Sequence, residues 1–348
     1  GYDMMLAIGG YLSQCYCHQH RPSSWVDVSQ FAAQAWQYLL KRYLVLFLVI
    51  APFALWMLLP QELTRLFRDM AASSLLVSNL TTWLDRSYLS GLVETTPMAH
   101  TWLISLLAQF LLLTLLIQRL APARVLAIMI VGALLSLSVS MWAVSAKPAA
   151  AFYFPATRFW PFALGVITAI AASRFTISTP LNALSSFAGA AIVIFAFTQA
   201  EFQADLGNGY QALAVLGTCL LLLPGKQAQR NLKVMLSGLL TLYLLHHPLV
   251  ALLKTLGIGT DAVILSAVGA LIFAIATVHG WFRRRLSRAT PEVISPATWV
   301  AGLLTLSACV WGIAENGKIV RHYPDPIFAL ETIADSSCYG RSGGSPGI

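Results

Sequence analysis

Few side chains in this sequence can do chemistry, and most of those stand in apolar surroundings. His246 and His247 are adjacent within TLYLLHHPLV at 241–250 and are followed at once by Pro248. A neutral imidazole offers one donor and one acceptor, and an ordinary pKa near 6.5 suits it to take a proton from a hydroxyl nucleophile. Pro248 removes one backbone N–H and frees the carbonyl about four residues earlier, which is how an apolar helix opens a polar patch. His100 opens a second apolar run, PMAHTWLISLLAQF at 97–110. Arg158 lies in FYFPATRFWPFALG at 152–165, between Pro155 and Pro161 and among aromatic rings. Its planar guanidinium suits a phosphate or a carboxylate; the alternative is an anchor in an interfacial aromatic belt. Lys41 and Arg42 form a basic pair at the start of another apolar run. For each imidazole the alternative is a hydrogen bond that only holds two helices together. CYCHQH at 15–20 packs two Cys and two His into six residues, but a structural zinc site takes two well-separated pairs, so a loop at a helix end and no metal are expected.

The elements that must position these groups are membrane helices. Of 348 residues, 57% are hydrophobic and 10% charged, against roughly 25% charged in a soluble domain, and mean hydropathy is +0.71. The fold class is all-α, a polytopic transmembrane helical bundle. At about 20 residues per crossing, spans are expected near 1–16, 43–60, 97–118, 125–146, 159–173, 181–200, 210–223, 234–254, 262–282 and 297–314, about ten in all. Arg158 then just precedes a span. The segment 63–90 mixes charge with apolar residues and reads as an interfacial or re-entrant loop. Residues 1–314 form one integral-membrane domain, and 315–348, rich in Pro, Gly and Ser, form a linker or disordered tail. Five scattered cysteines make no disulfide framework. No signal peptide precedes Gly1, and a first residue other than Met points to a truncated or processed chain.

Sidedness follows from the basic residues, which accumulate on the cytoplasmic face. One set of loops carries thirteen Lys and Arg, among them Arg21, Lys41, Arg42, Arg119, Arg124 and Arg174; the other set, without the tail, carries six, including Lys147 and Arg158. The first set is cytoplasmic and the tail lies outside. The net charge of +8 is therefore a topology signal, and no nucleic-acid partner is expected.

Taken in order, these stretches resemble the acyltransferase-3 family, bacterial polytopic enzymes that O-acylate surface polysaccharides and related glycans. GYDMMLAIGGYL at 1–12 is similar to the family's G-V-D-x-F-F-V-I-S-G-Y-L, and YLLKRYLVLF at 38–47 to its Y-L-x-R-R-x-x-R-x-x. SNLTTWLDRSYLSGL and PMAHTWLISLLAQF resemble the segment ending P-L-x-H-T-W-S-L-S-V-E-E-Q-F; AAAFYFPATRFWPFALGVITA resembles A-x-F-Y-x-x-x-T-R-x-W-E-L-x-L-G; and SGLLTLYLLHHPLV resembles I-S-Y-S-L-Y-L-W-H-W-P-L. The resemblance puts His246 on the histidine of W-H-W-P, with His247 beside it, and His100 on that of H-T-W, as candidate catalytic residues. It puts Arg158 and Trp160 on the T-R-x-W motif, and Lys41 and Arg42 on a basic pair linked to the cytoplasmic acyl donor, as candidate substrate-binding residues. It further implies acyl-CoA, acetyl-CoA foremost, as donor substrate with no bound cofactor. A hydroxyl of a cell-surface glycan such as lipopolysaccharide, or of a lipid-linked one, is the implied acceptor, and the bacterial inner membrane the implied location, with a periplasmic tail.

The departures point to a partial or degenerate enzyme. The family's opening span, with an R-x-x-x-H-like motif, precedes the part that Gly1 begins. Leu107 and Ala108 stand where the family has Glu-Glu, Val45 replaces an arginine, and Trp-His-Trp has become Leu245–His246–His247. Two other readings stay open: a transporter or flippase of a lipid-linked glycan, in which buried His and Arg bind phosphate and couple to protons, and a catalytically inactive membrane partner.

Overall fold

The computed structural model describes residues 1–85, 96–175, 178–199, 209–225, 240, 243–254, 300, 304–305 and 307–311. They are all helical or connecting: α1 (Tyr2–Gln19), α2 (Trp25–Met57), α3 (Pro60–Ser74), α4 (Ser78–Asp85), α5 (Trp102–Leu120), α6 (Val125–Ala146), α7 (Pro148–Tyr153), α8 (Pro155–Arg174), α9 (Thr179–Gln199), α10 (Gly209–Leu222) and α11 (243–254). Five stretches are long and apolar enough to cross a membrane: Trp25–Met57, Ala99–Leu120, Pro122–Ala146, Pro148–Arg174 and Thr179–Gln199. The protein is a polytopic membrane helical protein. Large apolar side chains on α6 and α9, such as Leu134, Leu135, Trp142, Phe187 and Ile194, are exposed, as lipid-facing surfaces require.

At the centre stands α1, packed against α5, α8 and α10. Its contacts are between backbones: a Cβ on Gly165 would run into the Ala7 carbonyl, and one on Gly10 into the Phe162 carbonyl. Small residues let apolar helices approach closely, and dispersion along the seam then holds them. The three helices α1, α5 and α8 run parallel. Tyr2 meets Trp102, Gly9 meets Leu107 and Gln118 donates to Gln14 on α5 and α1, while Asp3 meets Arg158 and Gly10 meets Phe162 on α1 and α8. Their first turns therefore gather at one end of the bundle.

Several boundaries differ from expectation for local reasons. α2 begins at Trp25, far ahead of the apolar run at 43–60, because Ser24 and Asp27 form a reciprocal capping box: Ser24 Oγ accepts from the Asp27 N–H at 3.1 Å and the Asp27 carboxylate accepts from the Ser24 N–H at 2.8 Å. Residues 60–85 are not a loop but a helical hairpin, turned by Leu76 at φ 58°. α8 starts at Pro155, a residue suited to the first helical position, so Arg158 lies inside its first turn instead of ahead of it. CYCHQH is not a loop either, since α1 continues to Gln19 and only His20 lies past it. The runs expected at 262–282 and most of 297–314, and the tail at 315–348, lie outside the described residues.

Candidate active site

Three imidazoles from two distant stretches of sequence meet. The His100 ring stacks on His247 with centroids 5.1 Å apart and planes 17° apart, and meets His246 edge-on at 5.5 Å. Tyr243 fastens the two segments: its hydroxyl donates to the His100 carbonyl. The His246 Nδ1 faces the Tyr243 carbonyl within hydrogen-bond distance. A carbonyl can only accept, so Nδ1 carries the hydrogen and Nε2 is the basic nitrogen. His100 is 3% exposed, and neither of its ring nitrogens has a well-formed hydrogen bond among the described residues. The carbonyls of Leu244 and Pro97 approach the ring without reaching hydrogen-bond geometry. The Leu244 carbonyl is the one that Pro248, four residues on, leaves without its helical donor. A buried polar ring held only by such poorly aligned carbonyls is under-satisfied, and an unmet buried donor or acceptor costs up to about 1–3 kcal/mol, which a bound hydroxyl or carbonyl would reduce.

An aromatic wall starts two residues further along the chain. Trp102, two residues after His100, packs against Tyr2 at 5.1 Å, Phe152 at 4.9 Å and Tyr153 at 5.2 Å. Behind Phe152 lies Arg158, its Cζ 4.8 Å from the ring centroid. Arg158 is buried and paired with Asp3, Nη1 donating to both carboxylate oxygens at 2.8 Å, while Nε donates to the Phe152 carbonyl at 3.0 Å. An arginine in the first turn of a helix sits at the wrong end of the macrodipole, and Asp3, in the first turn of α1, offsets it. Three N-terminal helix ends converge here, each equivalent to roughly half a positive charge, so the region favours negative charge that develops during a reaction.

The α3–α4 hairpin supports the His100 segment through hydroxyls. Ser73 Oγ and Thr101 Oγ1 are 2.7 Å apart, Thr101 Oγ1 donates to Ser78 Oγ at 3.2 Å, and Ser78 Oγ lies 2.8 Å from Ser105 Oγ. At the hairpin's turn, Gln109 Nε2 donates to the Leu76 carbonyl and to Asn79 Oδ1, both at 2.9 Å. Irregular backbone packed against an apolar helix needs such partners.

The structure thus brings together His100, His246 and His247, and it pairs Arg158 with Asp3 behind the aromatic wall that starts at Trp102. It leaves the other expected residues in different settings. Lys41 and Arg42 sit midway along α2, where Arg42 donates to the Tyr38 carbonyl at 2.9 Å and lies 3.3 Å over its ring. Trp160 is buried in the apolar core, and its backbone N–H donates to Ser136 of α6 at 3.0 Å. Among the described residues no group of three or more His, Cys, Asp or Glu converges as a metal site. Asp3 is the residue that sequence reasoning passed over; the signal was a lone carboxylate in the first turn of an apolar helix, rare and costly unless paired.

A family model described as an acyltransferase domain matches residues 1–282. No curated protein and no solved structure matches the chain.

Proposed function

The chain belongs to the acyltransferase-3 family and is a membrane acyltransferase; from that premise we propose that it moves an acetyl group from acetyl-CoA to a hydroxyl of a cell-surface or lipid-linked glycan in the bacterial inner membrane. An imidazole of the histidine group, His246 Nε2 foremost, accepts the proton of the acceptor hydroxyl. The hydroxyl oxygen attacks the thioester carbonyl carbon, the carbon–sulfur bond breaks, and the proton passes to the departing sulfur. The products are a glycan ester and free coenzyme A. Arg158 binds substrate oxygen, and the converging helix ends stabilise the tetrahedral intermediate. Lys41 and Arg42 attend the cytoplasmic donor.

The observation that carries this reading is the meeting of three imidazoles around His100, whose buried ring nitrogens have no well-formed hydrogen bonds among the described residues. The pairing of Arg158 with Asp3 weighs against the transporter reading, because an arginine already neutralised by a carboxylate holds a lipid-linked phosphate poorly. Membrane vesicles containing the protein and given radiolabelled acetyl-CoA on the cytoplasmic side are expected to place label on glycan, and vesicles without it are not. Glycan that crosses the membrane in a protein-dependent manner but remains unlabelled would overturn the proposal in favour of the transporter.

A further inference from the structure

Arg158 grips its partner in an uncommon way. Arginine and carboxylate usually meet fork to fork, through two guanidinium nitrogens. Here Nη1 alone takes both oxygens of Asp3, and Nε is spent on the Phe152 carbonyl. Nη2 has no acceptor among the described residues, in a residue only 4% exposed. The Phe152 ring under the guanidinium also packs on Trp102, two residues from His100.

We infer that Asp3 is a positioning residue: by holding Nη1 it turns Nη2 of Arg158 toward the acyl carbonyl oxygen. The inference rests on the acyltransfer reading and deepens it. A cation already balanced by a carboxylate gains little from an oxygen that is charged before reaction begins. It gains more from one that becomes negative only as the hydroxyl attacks, and an interaction confined to the transition state raises kcat and leaves KM alone. Asp3 itself touches no substrate. Its carboxylate fixes the guanidinium plane and cancels the resting charge, so that a single donor edge is offered.

The test uses the full-length protein in membranes with radiolabelled acetyl-CoA, kcat and KM being measured per molecule of inserted protein. Asp3→Asn is expected to lower kcat about 100-fold with KM for acetyl-CoA within about threefold, the size of effect seen when one oxyanion donor is lost. Asp3→Glu, which keeps the charge and displaces the guanidinium, is expected to lower kcat about tenfold and so to rescue part of the loss. The apolar double variant Asp3→Leu with Arg158→Met is expected to insert and elute like the wild type but to be inactive, because apolar packing replaces a buried pair without replacing its donor. A double variant within threefold of wild-type kcat would overturn the inference and reduce the pair to a clamp between α1 and α8, as would an unchanged kcat for Asp3→Asn. If Asp3→Asn fails to accumulate, the Asp3→Glu and double variants decide on the same criteria. Wild-type membranes that label no glycan would instead sink the acyltransfer reading itself, and this inference with it.

Discussion

Asp3 and Asp69 are two carboxylates withdrawn from water in different company. Asp3 has Arg158 at 2.8 Å. Asp69, on the amphipathic helix α3, has no cation within salt-bridge distance among the described residues, and although it keeps part of its surface, burial pushes its carboxyl up to about 6 against the pull of Arg68 and Arg65. The consequence for stability has a definite sign. Between the ordinary carboxylate range near 4 and about 6, the unfolded chain ionises this group while the folded protein resists, so stability falls as pH rises through that window and stays lower above it. Asp69→Asn is therefore expected to raise the Tm at pH 7.5 and to flatten its decline between pH 4 and 6; a Tm unchanged at pH 7.5 would contradict the assignment. None of this was legible beforehand, because Asp69 falls in the segment 63–90, whose mixture of charge and apolar residues reads as a loop. His100, His246 and His247 were legible as chemistry because an ionisable ring in an apolar run is rare. That they would meet was not, since the link is a hydrogen bond from Tyr243 across 143 positions.

At the scale of the elements, the seam between α1 and α8 sets the distance from Asp3 to Arg158. Gly10 and Gly165 permit that seam, because any Cβ there would collide with a carbonyl of the other helix. Gly165→Leu is expected to push the helices apart and destabilise the protein by about 1–3 kcal/mol, the range for overpacking. It should lower acyl transfer more than it lowers the amount of inserted protein, since a displacement of about 1 Å at the site can cost on the order of 100-fold. A Gly165→Leu protein with wild-type activity and stability would show that the close approach does not position the pair. The apolar elements were the most readable, because α5, α6 and α9 announce themselves by length and hydropathy. The first half of α2 did not. Its start is written in Ser24 and Asp27, a cap that a search for apolar runs passes over. The α3–α4 hairpin escaped for another reason: its charged face suggested a loop, while the buried hydroxyls that secure it to α5 lie on residues unremarkable one at a time.

Across the described residues, the arrangement centres on three parallel helices, α1, α5 and α8, whose first turns converge, with α11 carrying the paired histidines against His100. The bundle, its polytopic class and its family could be read from composition and from motifs spread along most of the chain. The interior of the site could not, because it draws on residues 2–3, 100–102, 152–158 and 243–248, and only the packing of α1 at the centre explains why they meet. The proposed reaction requires a glycan acceptor to reach this end of the bundle. Whether the imidazole group takes the acceptor's proton is decided by acetyl transfer by His246→Ala in membranes containing matched amounts of inserted protein. Loss of general-base catalysis predicts a rate lower by at least about 100-fold with insertion unchanged. A rate within threefold of wild type would contradict the account and leave His246 as a packing residue.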